Sequence, residues 1–158
     1  MRARQRGRTG RAVIVAGSMA LWAGVTAHMA SGPDQTPAPA AKTVWDAVYS
    51  EAQAARGKEV YTKDCERCHG ATLTGKDDAS PLTGAMFMTN WKDETLAALF
   101  EKIQSSMPDD KPGSLTKEQS IDAVSYILSF NKFPAGADEL KADKDILKTI
   151  KITAKKQP

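Results

Sequence analysis

Residues 57–70 read GKEVYTKDCERCHG, and inside them Cys65-Glu66-Arg67-Cys68-His69 decides the fold. Two thiols stand three positions apart, and an imidazole follows the second directly. This C-x-x-C-H pattern is a signal for covalent haem attachment. Haem carries two vinyl groups near one corner of its ring. Sulfurs separated by one turn of chain can each add across one vinyl, giving two thioethers. The next residue then lies under the ring, where a neutral imidazole nitrogen can bind iron. Glu66 and Arg67 are the spacer and have no required chemistry.

A C-x-x-C pair has other readings. Zinc wants four ligands, and the whole chain has two Cys and two His, the second being His28 in the N-terminal apolar segment. A redox dithiol of the thioredoxin kind wants a βαβ setting, and no strand pattern surrounds Cys65. A structural disulfide is the remaining alternative.

Met1 to Arg11 carries five arginines and no acid, and Ala12 to Ala27 is almost wholly apolar and small. A basic n-region followed by an h-region is an export signal. Val25-Thr26-Ala27 places cleavage after Ala27, with Ala30 as second choice. If it is not cleaved, residues 1–30 are an N-terminal membrane anchor, at the short edge of what spans ~30 Å of hydrocarbon. No adjacent Arg pair supports a twin-arginine route. The domain that follows is expected in the periplasm. Without those five of the chain's 22 basic residues, 17 face 19 acids, so the basicity of the full chain is a targeting feature and not a nucleic-acid footprint. Residues 31–42 (SGPDQTPAPAAK) read as a Pro/Ala-rich linker. Residues 43–152 are one domain's worth of chain, and 153–158 a frayed tail.

Within the domain, a helix is expected over Val44 to Asp64, at least from Ala52. Gly57 and Tyr61 lie one turn apart on one face. Gly57 costs that helix about 1 kcal/mol relative to Ala, and a close crossing with a late aromatic helix is its expected reason. After His69, the residues Gly70, Gly75, Asp77, Asp78, Pro81 and Gly84 break regular structure. The carbonyl of Pro81 is a candidate acceptor for the second imidazole N–H of His69, which would orient the ring. Lys92 to Ser106 reads as an amphipathic helix, with Leu96, Leu99, Phe100 and Ile103 on one stripe. Asp93 and Glu94 are expected in its first turn and Lys102 near its end. The indole of Trp91 is a candidate donor to a haem propionate, with a core or rim role as the alternative.

Met107-Pro108 is the second chemical element. An iron that only passes electrons needs a sixth ligand, and a thioether is soft, neutral and matched to the ferrous state. Met107 follows a helix and precedes a proline that stops it; Met86 and Met88 are the alternatives. Thr116 to Asn131 reads as the last strong helix. Thr116-Lys117-Glu118-Gln119 forms its capping box, and Ile121, Val124, Ile127 and Leu128 its apolar stripe. Asp138 to Ile152 is expected to fold back through Leu140, Ile146, Leu147, Ile150 and Ile152.

From Gly57 to Phe133 the chain resembles a class I bacterial monohaem cytochrome c. The resemblance rests on GKEVYTKDCERCHG, Pro81-Leu82, Met107-Pro108 and the closing aromatic helix. It implies an all-α cytochrome c fold, a few helices wrapped around one haem c that is bound through Cys65 and Cys68, with His69 and Met107 on opposite faces of the iron. WDAVYSEAQAARG and MPDDKPGSL also resemble small cytochromes associated with PQQ-dependent dehydrogenases. The chain beyond Phe133 is not part of the basic family pattern.

The function implied is electron transfer, not enzymatic catalysis. A monomer would take single electrons from a dehydrogenase and pass them to an oxidase or membrane complex. Lys63, Arg67, Lys76 and Lys111 flank the expected haem edge and are candidates to steer an acidic partner. A haem enzyme or gas sensor with an open distal site is the alternative, and a thiol oxidoreductase is a third reading.

Overall fold

The computed structural model describes residues 41–155. The expected signal or anchor segment, most of the linker and the last three residues lie outside them. Among the described residues no helix is long and apolar enough to cross a membrane.

The chain enters through a two-residue strand, β1 (Lys42–Thr43), so Lys42 at the end of the expected linker is already paired. Helix α1 (Glu51–Asp64) begins at Ser50, whose Oγ accepts the Gln53 N–H at 3.1 Å. That is the role of a short polar side chain at an N-cap. It starts later than Val44, because Val44 spends its N–H on the Lys151 carbonyl at 2.9 Å. Cys65 closes α1 and opens the four-residue α2 (Glu66–His69).

Helix α3 (Gly84–Trp91) starts at the last of the expected breakers and fills a stretch for which no element was expected. Thr83 gives it no side-chain cap. Instead Asn131, 47 residues later, accepts the Gly84 N–H on Oδ1 at 3.1 Å and donates from Nδ2 to the Leu82 carbonyl at 2.9 Å. Helix α4 (Leu96–Ser106) starts at Leu96, not Lys92. Asp93 and Glu94 are therefore outside its first turn. The Asp93 N–H bonds the Ile152 carbonyl at 2.8 Å, and the Glu94 carbonyl accepts from Ile152 at 2.9 Å. These contacts hold the segment out of the helix, and Thr95 becomes the cap. Lys102 is likewise not in the last turn.

Helix α5 (Lys117–Phe130) has the expected capping box. Thr116 Oγ1 accepts from the Gln119 N–H at 3.1 Å, and Gln119 Oε1 accepts from the Thr116 N–H at 2.9 Å. Its stripe of Ile121, Val124, Ile127 and Leu128 is buried. The expected crossing with α1 is present. A Cβ built on Gly57 would overlap the Asp122 carbonyl and lie 2.9 Å from Tyr126 Cβ. The backbones meet because nothing stands between them. Beside that contact the Tyr61 and Tyr126 rings are 5.2 Å apart.

The C-terminal extension folds back as α6 (Lys144–Lys148) and β2 (Ile150–Lys151), with β2 parallel to β1. Leu140, Leu147, Ile150 and Ile152 join the core, whereas Ile146 is 41 % exposed and does not. Lys144 reaches Glu101 on α4 at 2.9 Å. Thr153 is buried, and its carbonyl accepts the Trp45 indole N–H at 2.9 Å. The described chain is thus helical, as expected, with one minimal strand pair.

Candidate haem attachment site

Helix α2 carries the motif on a single turn. The His69 N–H bonds the Cys65 carbonyl at 2.9 Å, and Tyr61 Oη donates to the Gly70 carbonyl at 2.7 Å. Tyr61 at the end of α1 therefore holds the motif at both ends, its carbonyl also accepting the Cys65 N–H at 2.8 Å. Cys65 is half-buried against the core, while Cys68 is exposed, and both are free thiols. Burial, then the neighbouring Asp64 and Cys68, pushes the Cys65 thiol up to about 11. At neutral pH it is protonated, which is opposite to the lowered thiol of a disulfide oxidoreductase.

His69 Nδ1 lies 2.9 Å from the carbonyl of Ser80. The acceptor is thus Ser80, one residue before the expected Pro81. The reason lies at Gly75. Its φ is +79°, and its N–H donates to the His69 carbonyl at 3.0 Å. A Cβ there would overlap the Ala79 carbonyl and stand 3.1 Å from the Pro81 nitrogen. Chain 79–81 returns directly over Gly75, and Leu82 is then fixed by its N–H on the Leu73 carbonyl at 2.8 Å. This geometry brings the Ser80 carbonyl to the imidazole. With Nδ1–H donated, Nε2 carries the lone pair and is the nitrogen left for a metal.

Met107 caps α4, its N–H on the Ile103 carbonyl at 3.1 Å, and is half-buried in extended chain. Met86 is 52 % exposed on α3, and Met88 is half-buried there. Trp91 ends α3 half-buried against the core. Of the candidate steering cations, Lys63, Lys76 and Lys111 are exposed. Arg67 is committed to an ion pair that the sequence did not announce, Nη2 to Asp110 Oδ2 at 2.9 Å.

Among the described residues no cluster of three or more His, Cys, Asp or Glu is placed to hold a metal ion, so a zinc site lacks its ligands. The donor set suits haem instead. It offers two adjacent thiols, an imidazole oriented through Nδ1, and a thioether in a loop. Leu82, Met88 and Trp91 add half-buried apolar surface packed on the core.

The family described as "Cytochrome C oxidase, cbb3-type, subunit III" matches residues 52–127. That span runs from the start of α1 through the motif, α3, α4 and Met107 into α5. No curated protein matches the chain. Among solved structures, a chain in the crystal structure of the sulfane dehydrogenase SoxCD from Paracoccus pantotrophus is similar at 18 % identity and a TM-score of 0.42, covering 56 % of this chain and 53 % of that one. The chain therefore spans about half the length of the solved chain it matches.

Proposed function

We propose that this chain, whose residues 52–127 form a class I-like cytochrome c domain, is an exported monomeric electron carrier and not an enzyme. It takes single electrons from a dehydrogenase and hands them to an oxidase or membrane complex. The observation that carries the reading is the 2.9 Å contact of His69 Nδ1 with the Ser80 carbonyl inside a C-x-x-C-H motif. An imidazole so held has one fixed tautomer and a free Nε2.

Haem c, when bound, supplies reversible one-electron chemistry at iron. Cys65 and Cys68 would hold it through two thioethers, and His69 and Met107 would supply the nitrogen and sulfur ligands to its iron. With both ligands in place, no coordination position would be left for a substrate. Leu82, Met88 and Trp91 would keep water from the ring, and the Trp91 indole would donate to a propionate. Pro81 shapes the turn that aims the Ser80 carbonyl. Export is supported by the basic and then apolar character of residues 1–27, and it would suit the covalent attachment proposed here. Contacts with partners of this kind are small and short-lived.

The test is to purify the exported protein, denature it and extract it with acid solvent. The pigment should stay on the chain, and should leave it in a Cys65→Ala/Cys68→Ala variant. A colourless product with two titratable thiols would overturn the reading in favour of a thiol oxidoreductase.

A further inference from the structure

Arg67 sits between the two thiols of the motif, and Asp110 lies three residues beyond Met107. Their side chains meet at 2.9 Å. The pair therefore joins the helix that carries His69 to the loop that carries Met107. The backbone hydrogen bonds of residues 108–114 stay inside that loop, Lys111 N–H to the Pro108 carbonyl at 2.9 Å and Ser114 N–H to the Lys111 carbonyl at 3.2 Å. Both partners are substantially exposed, with side-chain exposures of 71 % and 43 %. Such a pair adds little to global stability. Its leverage is local, because it acts on a short loop with few other ties.

We propose that Arg67 and Asp110 are a positioning pair for axial ligation, the ion pair holding the Met107 loop closed against the attachment helix. This rests on the assignment of Met107 as the sixth ligand. The pair touches neither iron nor substrate and acts through Met107. An exogenous ligand must displace the thioether to bind, and each opening of the loop favours it. Loss of the pair therefore makes the iron more accessible while leaving the fold in place.

The test titrates the ferric holoprotein with imidazole and follows the visible spectrum. Arg67→Gln and Asp110→Asn should each raise the apparent imidazole affinity on the order of two- to five-fold, the scale of an exposed ion pair. The two should not add when combined. The charge-reversed double variant, Arg67→Asp with Asp110→Arg, should return the affinity toward wild type. The difference between wild type and the single variants should shrink in about 1 M salt, where screening is nearly complete. Thermal midpoints should stay together, which separates loop positioning from general destabilisation. Met107→Ala is the reference and should raise imidazole affinity most. If it does so while Arg67→Gln and Asp110→Asn match wild type, or if charge reversal does not restore the affinity, the positioning pair is refuted and ligation by Met107 stands. If Met107→Ala itself leaves imidazole affinity unchanged, the ligation assignment fails and the pair's role fails with it.

Discussion

Gln53 and Leu140 hold each other by two hydrogen bonds across 87 residues of chain. Gln53 Nε2 donates to the Leu140 carbonyl at 2.8 Å, and the Leu140 N–H donates to Gln53 Oε1 at 2.8 Å. Both residues are buried. An amide side chain here completes the backbone of a segment that has no strand partner of its own. Gln53→Leu would leave both Leu140 groups dry and unpaired, at a cost of about 2–4 kcal/mol. The urea midpoint should fall accordingly, with faster amide exchange at Leu140. An unchanged midpoint would show that the extension is not anchored this way.

Gly57 makes the opposite test. In an ordinary helix Gly→Ala gains about 1 kcal/mol. Here the added methyl meets the Asp122 carbonyl, so α1 and α5 must part. Gly57→Ala is expected to destabilise by about 1–3 kcal/mol. Denaturant unfolding that shows a more stable variant would mean the crossing has room to spare.

Met107→Ala should remove the low-spin His/Met spectrum and leave a high-spin ferric form that takes up added ligands. Retention of the native bands would transfer the assignment to Met86 or Met88.

Gly75→Ala should disturb the turn that aims the Ser80 carbonyl, through both the overlap at Ala79 and the positive φ. A weaker hydrogen bond at Nδ1 makes the imidazole a poorer electron donor. The ferrous state then gains, and the reduction potential should rise. Voltammetry giving a lower potential would contradict the role assigned to Ser80.

Burial raises the phenol of Tyr61 well above the ordinary tyrosine value, and burial raises Tyr49 and Tyr126 as well. Below roughly pH 10, the ordinary tyrosine value, native and unfolded chains are both protonated and this contribution is whole. Above it the unfolded chain releases a proton that the native chain retains, so stability falls as pH rises. Tyr61→Phe removes one share of that slope. Its denaturation midpoint should drop less between pH 9 and pH 11 than that of wild type. Equal drops would mean that Tyr61 titrates normally.

Much of the fold was legible because its signals are local. The capping box at Thr116, the stripe of α5 and the Gly57 face each lie within a few turns of chain. The parts that were missed depend on distant partners. Helix α3 is capped by Asn131 and not by its own Thr83. The start of α4 is displaced by Ile152, which takes the backbone groups of Asp93 and Glu94. At the site, the motif was plain in the sequence. The Ser80 acceptor and the Arg67–Asp110 pair were not, since each depends on a loop path that no periodicity encodes.

The parallel pairing of Lys42–Thr43 with Ile150–Lys151 has a mechanical meaning. Any tension arriving through residue 41 is met first by that short ladder in shear, backed by the Trp45 indole on the Thr153 carbonyl. The load passes into the returning C-terminal strand before it reaches α1 or α2. A tether at the front of the domain could therefore be tugged without twisting the residues proposed to grip iron.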